Sequence, residues 1–303
     1  MRRYDVSALG SDVPRSYRQY LARRWAAWIV GVLGLNRPGF LSTEIVQQIH
    51  PLCTIPTRRG PMRCVGGHGR LRWRALTFYT EEPDTIRWLD ALTEHDVLWD
   101  IGANVGLYAM YAAKIARCRV VAFEPEAQNY ALLLQNMALN GVQALIDATN
   151  IAVTNDLGLG WLSVHAMTKG GAYNAFHLST GAMERTRQAP DATVAQVQVG
   201  ASLDDLVTKF HFPFPTHLKI DVDGTEPDIV AGGSRVLSDP RCVSVLIEVQ
   251  WKDPAHVQMV ERLEAWGYRC AVRSSPGRYP AANMVFERTP VTSRTVAKEP
   301  AEA

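Results

Sequence analysis

From position 97 onward, apolar runs of strand length alternate with longer stretches whose apolar residues recur at three- and four-residue steps. The runs, such as Val97–Ile101 and Arg119–Phe123, have the pattern of strands buried on both faces, and the longer stretches that of helices with one apolar stripe. Strands are expected at 97–101, 119–123, 145–153, 160–166, 216–221, 242–249, 268–273 and 283–287, with helices at 84–91, 105–117, 126–139, 202–210, 226–237 and 255–265. Strands separated by helices predict an α/β fold, a doubly wound and mostly parallel sheet covered on both faces. The last two strands follow one another without a helix and predict an antiparallel hairpin at the sheet's edge.

The flanking segments read differently. Between residues 15 and 35, Tyr17, Leu21, Trp25, Trp28, Val32 and Leu35 form one helical stripe, with Arg18 and Arg24 beside it and Arg23 behind. Such a stripe packs on its own domain or on a second subunit, so a homo-oligomer is one expectation. Trp flanked by Arg is also the composition of a helix lying among anionic headgroups, so peripheral membrane association is another. Pro38, Pro51, Pro56 and Pro61, then Gly66, Gly67 and Gly69, break residues 36–75 into short strands and turns. Residues 1–75 are therefore expected to form an Arg-rich N-terminal extension, 76–288 the α/β domain, and 289–303 a disordered tail. The polar stretch from Ala166 to Gln196, with Gly170, Gly171 and Asn174, is too long for an idle connection and is expected to touch or cover a ligand.

Charge adds a contrast between the two ends. The 303 residues carry 32 basic and 30 acidic side chains, a net +2 that gives no global reason to expect a nucleic-acid partner. Residues 1–75 nevertheless hold 13 arginines, no lysine and 3 acids, a net of +10 against −8 for the remainder. The 47% of hydrophobic residues supplies a large core and excludes a disordered chain. The five cysteines contain no C-x-x-C pair, which argues against a zinc site or a disulfide framework and fits a reducing cytoplasm. No apolar run reaches the roughly 20 residues of a membrane span, and Trp25–Leu35, behind a long charged leader, makes a poor signal peptide.

The segment Val97-Leu98-Trp99-Asp100-Ile101-Gly102-Ala103-Asn104-Val105-Gly106 reads as a buried strand, a glycine turn and a helix start, the turn of a nucleotide-cofactor site. Gly102 and Gly106 are expected to let ligand atoms approach the backbone. Their G-x-x-x-G spacing lacks the third glycine of the dinucleotide fingerprint, and Asp100 would repel a pyrophosphate yet attract an ammonium group. These features point to S-adenosylmethionine, which joins a cationic amino-acid end to a nucleoside. Glu124, ending the second strand, is placed to accept both ribose hydroxyls. Asn104 reads as a cofactor contact or a turn former.

With F-E-P at 123–125, L-N-G at 139–141, L-K-I-D-V-D-G-T-E at 218–226 and Gly232-Gly233, this turn resembles the FkbM-type family of S-adenosylmethionine-dependent methyltransferases. The resemblance runs from about Thr77 to Val249 and includes S-L-D-D at 202–205 and L-I-E-V at 246–249. It implies a Rossmann-like class I methyltransferase sheet. It also implies O-methylation of a hydroxyl on a sugar, polysaccharide or polyketide, with a surface polysaccharide or lipid-linked oligosaccharide as the expected glycoconjugate acceptor.

Methyl transfer to an alcohol needs a positioned acceptor and a base. Asp221, ending the strand His217–Ile220, is the first candidate and Asp223 in the following turn the second; Asp221 has the alternative role of fixing the turn or the cofactor's amino group. Asp221, Asp223 and Glu248, from neighbouring strand ends, form a less favoured candidate Mg²⁺ site that lacks the short fixed spacing of a metal motif. His165, His177, His211, His217 and His256 are alternative bases without a recognisable partner. An RNA methyltransferase is expected to carry an Asn- or Asp-Pro-Pro-aromatic turn where this chain has Asp221-Val222-Asp223-Gly224, which disfavours nucleic acid; Arg59, Arg63, Arg70, Arg72 and Arg74 are the side chains it would use. A non-catalytic binding protein on a cofactor fold is the remaining alternative.

Overall fold

The computed structural model describes residues 24–26, 28–29, 31–32, 51–66, 69–164, 170–171, 174–179, 194–274 and 281–288. They belong to two compact units that divide between Pro51 and Leu52. In the first, the described residues between 24 and 32 are helical, with Trp25, Trp28, Ile29 and Val32 exposed and the two indoles meeting edge to face at 5.7 Å. The rest of the expected 15–35 helix, the tail at 289–303, His165 and most of the 166–193 stretch lie outside the described residues.

The second unit opens with a hairpin, β1 (Leu52–Ile55) and β2 (Met62–Val65), then α1 (Gly69–Leu76) and α2 (Pro83–Asp90). There follow β3 (Val97–Ile101), α3 (Leu107–Ile115), β4 (Arg119–Phe123), α4 (Ala127–Asn140) and β5 (Ile146–Thr149). A smaller set comes next, β6 (Ala152–Thr154), β7 (Gly158–Val164), β8 (Ala175–Leu178) and β9 (Val194–Ser202). The chain continues through α5 (Leu203–Thr208), β10 (His217–Ile220), α6 (Glu226–Ala231), α7 (Ser234–Ser238), β11 (Ser244–Gln250), α8 (Pro254–Ala265), β12 (Tyr268–Arg273) and β13 (Ala281–Arg288).

Among the described residues, seven strands form the main sheet in the order β12-β13-β11-β10-β3-β4-β5. The five from β11 to β5 run parallel, and β13 pairs antiparallel with both β11 and β12. This is the doubly wound, mostly parallel α/β fold, with the expected hairpin inserted so that its second strand lies inside the first. The apolar runs alternate in facing: Leu98, Val120 and Ala122 enter one core with α3 and α4, whereas Trp99, Ile101, Val121 and Phe123 enter the other with α5 to α8. Each such fully buried side chain contributes about 1.5–3 kcal/mol, which fixes strand register on both faces.

Three boundaries differ from the expected ones. Residues 52–75, read as part of an extension, pack with the sheet: Ile55, Met62, Cys64 and Leu71 join the first core. Asn136 and Asn140 of α4 accept from the backbone N–H groups of Val65 and Arg63, each at 2.8 Å, which satisfies the outer edge of β2. The expected strand 145–153 breaks at Asn150 into β5 and β6, which belong to different sheets, and the expected helix 226–237 breaks at Gly232-Gly233. A Cβ on Gly232 would stand 2.6 Å from the Thr154 carbonyl oxygen, so close helix-to-sheet approach requires that glycine.

Candidate active site

Strand order reverses at β3, whose neighbours β4 and β10 lead away in opposite directions, and the crevice of a doubly wound sheet opens at the C-terminal ends of such strands. Two turns meet there. The first follows β3 with positive φ at Gly102 (80°), Asn104 (52°) and Gly106 (82°). Glu124, at the end of β4, holds it by accepting from the Asn104 N–H at 2.7 Å and the Glu126 N–H at 2.9 Å. Burial outweighs these two hydrogen bonds and lifts the Glu124 carboxyl to about 7.

The glycines have a different physical reason from the expected one. A Cβ on Gly102 would lie 1.9 Å from the Asp221 carbonyl oxygen, and one on Gly106 would lie 2.1 Å from Leu133 Cδ1. Close packing of the protein against itself already demands glycine at both positions, before any ligand is considered.

The second turn follows β10, with Asp223 (φ 63°) and Gly224 (φ 116°) in left-handed backbone. Here the fully buried Glu226 accepts from Val222 N–H at 3.1 Å and Gly224 N–H at 3.0 Å, and burial lifts its carboxyl to about 7. His256 Nε2 stands 3.8 Å from the Glu226 carboxylate.

Between these turns and α1 lies a cleft of about 230 Å³. Its floor comes from Gly102, Ala103, Asn104 and Val105, one side from Lys219, Asp221 and Asp223, and the facing wall from Trp73, Arg74, Thr77, Phe78, Glu81 and Glu82, with Leu107 and Tyr108 between. Lys219 is the buried pivot. Its ammonium lies 3.1 Å from Asp221 Oδ2, 3.4 Å from Asp100 Oδ1 and 5.2 Å from the centre of the Tyr108 ring. Burial works against its charge, but Asp221, Asp100 and Glu82 outweigh burial and raise its pKa. Glu82 accepts from Thr85 Oγ1 at 3.0 Å and shares a hydrogen bond with Tyr108; burial, then the nearby Asp221, raise its carboxyl.

Of the residues singled out from the sequence, Gly102, Asn104, Asp221 and Asp223 come together on the cleft. Asp100 is sealed behind Lys219, its Oδ1 3.4 Å from the ammonium, and Gly106 and Glu124 lie behind the turn. Glu248 stands on β11; burial, then Asp221, Glu226 and Asp223, push its carboxyl up to about 8. Among the described residues no cluster of three His, Cys, Asp or Glu side chains is arranged to hold a metal ion, and Asp221, Asp223 and Glu248 form no such set. His177 and His211 are exposed, and His217, bonded to Ser244 Oγ at 2.6 Å, opens β10 at the end opposite Asp221. Sequence reasoning passed over Trp73, Glu82, Tyr108 and Lys219 as site residues. The described part of the expected ligand-covering stretch is pinned to the first turn, where the Gly171 carbonyl accepts from Asn104 Nδ2 at 2.7 Å and from Asn129 Nδ2 at 3.2 Å.

The family profile described as "Methyltransferase FkbM domain" matches residues 100–270, more than half of the chain. The chain belongs to the FkbM methyltransferase family. The matched segment begins at Asp100 in β3 and ends in β12. A curated relative, the hexuronic acid methyltransferase AglP of Haloferax volcanii, is 26% identical over 176 residues. Those residues are 58% of this chain and 65% of that protein's length. Two solved structures have lower similarity. A methyltransferase FkbM from Methylobacillus flagellatus KT is 12% identical with a TM-score of 0.46, over 72% of this chain and 53% of that one. A precorrin-6y C5,15-methyltransferase from Geobacter metallireducens GS-15 is 15% identical with a TM-score of 0.41, over 69% and 90% respectively.

Proposed function

We propose that this FkbM-domain methyltransferase O-methylates a sugar hydroxyl of a glycoconjugate with S-adenosylmethionine as donor. The cleft suits a cationic cofactor: Glu81, Glu82, Asp221 and Asp223 line it, and the Lys219 charge is taken up by Asp100 and Asp221. Asn104, Gly102 and Glu124 are the residues proposed to hold the cofactor, Glu124 through the ribose hydroxyls. When bound, S-adenosylmethionine supplies the methyl carbon, whose bond to sulfur breaks with its electron pair left on sulfur as the bond to the acceptor oxygen forms.

The observation that carries the reading is Asp221, 32% exposed at the cleft beside the glycine turn. Lys219 takes its Oδ2 and orients the carboxylate, which leaves Oδ1 to receive the proton of the acceptor hydroxyl. Asp223 is the second carboxylate at that edge. The hexuronic acid methyltransferase activity in the name of the Haloferax relative supports a sugar as acceptor. Mass spectrometry of sugar acceptors incubated with the protein and S-adenosylmethionine tests this. A 14 Da gain per methyl, reduced about a hundredfold in rate by Asp221→Asn with cofactor binding retained, is the expected result. A fully active Asp221→Asn in the presence of EDTA would remove Asp221 from the chemistry; activity lost to EDTA and restored by Mg²⁺ would bring back the metal alternative.

Among the described residues no helix is long and apolar enough to cross a membrane. Exposed Trp25, Trp28, Ile29 and Val32 in a segment of strongly positive charge support a second reading, in which this stretch docks on an anionic membrane surface. Sedimentation with anionic liposomes in low salt, reversed by high salt, is the corresponding test.

A further inference from the structure

The cleft holds a second cation, and its surroundings differ from those of Lys219. Arg74, on the cleft side of α1, has a buried Nε with no hydrogen-bond partner, and no ion pair joins it to any described carboxylate. A guanidinium nitrogen buried without an acceptor is costly, and the cost is recovered when a ligand brings the acceptor. The planar fork of arginine matches a carboxylate through two parallel hydrogen bonds. Glu81, Glu82, Asp221 and Asp223 already line the cleft, so a singly charged carboxylate meets less repulsion there than a doubly charged phosphate does.

Trp73 precedes it on the same helix, 47% exposed and also on the cleft. An indole face open to solvent suits the apolar C–H face of a pyranose ring, burying area at little entropic cost. Leu71 and Ala75, on the other side of α1, are buried in the core and hold the helix in place. Both cleft residues precede Asp100, where the match to the family begins, so they stand outside the segment that the family shares. That is where a wall particular to one acceptor belongs, rather than the common cofactor cradle.

We infer that Trp73 and Arg74 form the acceptor subsite for an acidic sugar, with the ring stacked on Trp73 and its carboxylate paired with Arg74. This rests on the sugar reading above. The methionine carboxylate of the cofactor is the other source of the same chemistry, and the test separates the two.

The full chain is assayed with S-adenosylmethionine on matched pairs that differ only in the carboxylate, p-nitrophenyl β-glucuronide with the β-glucoside and the galacturonide with the galactoside. The expected wild-type result is a kcat/KM at least about tenfold higher for the uronides, carried by KM. Arg74→Gln collapses that preference toward unity, Arg74→Lys retains part of it, and Trp73→Ala raises KM for both members of a pair. Circular dichroism of each variant establishes that the fold is kept. Equal wild-type rates on acid and neutral sugars, or a preference that survives Arg74→Gln, would overturn the inference while the sugar reading stands. An equal loss of S-adenosylmethionine affinity in Arg74→Gln would overturn it by assigning Arg74 to the cofactor. Transfer to none of the four glycosides would overturn the sugar reading and this subsite with it.

Discussion

The turns after β3 and β10 lie side by side at the crevice, and in each a single buried glutamate accepts two backbone N–H groups: Glu124 in the first and Glu226 in the second. Both turns need residues in left-handed backbone, and burial lifts both carboxyls to about 7. They differ in where the glutamate comes from. Glu124 reaches across from the neighbouring strand and ties two strand ends together, whereas Glu226 opens α6 and closes its own turn, fully buried against His256. A carboxylate has about four lone-pair sites. Glu124 keeps 5% of its surface exposed at a junction of strand ends, whereas Glu226 keeps none and serves to place Asp221.

Removing the two glutamates gives the largest separation. Glu226→Ala removes the acceptor of the Val222 and Gly224 N–H groups and leaves a cavity beside the buried His256, which loses its carboxylate, so urea titration should show a loss of about 4 kcal/mol. Glu124→Ala loses two similar bonds nearer the crevice and should cost less, about 2 kcal/mol. Equal losses would mean that the buried His256 beside Glu226 makes no difference between the two turns.

Gly102→Ala and Gly106→Ala sharpen it further. Both force a side chain onto positive φ, but the Gly102 Cβ meets the backbone of the second turn, which cannot move aside, and the Gly106 Cβ meets the end of Leu133, which can. Losses of about 3 and 1–2 kcal/mol are expected in that order. The reverse order would mean that the two turns are not locked together.

Glu248 reports on the second turn through pH. Its carboxyl rises from an ordinary 4.5 to about 8, by burial and then by Asp221, Glu226 and Asp223. A carboxyl with a higher pKa folded than unfolded holds its proton more tightly in the folded chain. It costs no stability below about 4.5, and its cost grows as pH rises and is complete above about 8. Tm should fall between about pH 5 and 8, and Glu248→Gln should flatten that slope by a small but measurable amount. An unchanged slope would remove Glu248 from the field of this turn.

The parallel strands were legible because burial on both faces leaves uninterrupted apolar runs, and the β3 turn because a buried strand running into closely spaced glycines stands out, although packing against Asp221 and Leu133 is what requires those glycines. β9 was hidden by an inverted pattern. Its Val194, Val197 and Val199 are exposed, whereas Gln198 is buried and hydrogen-bonds Asn150 Oδ1 at 2.7 Å. Lys219 is a charge in an otherwise apolar strand, and the neighbouring Asp100 and Asp221 explain a buried cation there. Trp73 and Arg74 were assigned to an extension by prolines and glycines that turned out to shape a hairpin and a helix packed on the sheet. A wall built from a segment distant in sequence leaves no local spacing to read, which is why the Trp73–Arg74 wall of the cleft emerged only from the fold.

Isothermal titration with S-adenosylmethionine decides whether the β3 turn with Glu124 forms the proposed cofactor edge of a methyltransferase cleft. Saturable binding by the wild-type chain is expected, with no tighter binding of NAD and at least about tenfold weaker S-adenosylmethionine affinity in Glu124→Ala. Wild-type affinity in Glu124→Ala, or preference for NAD, would contradict it.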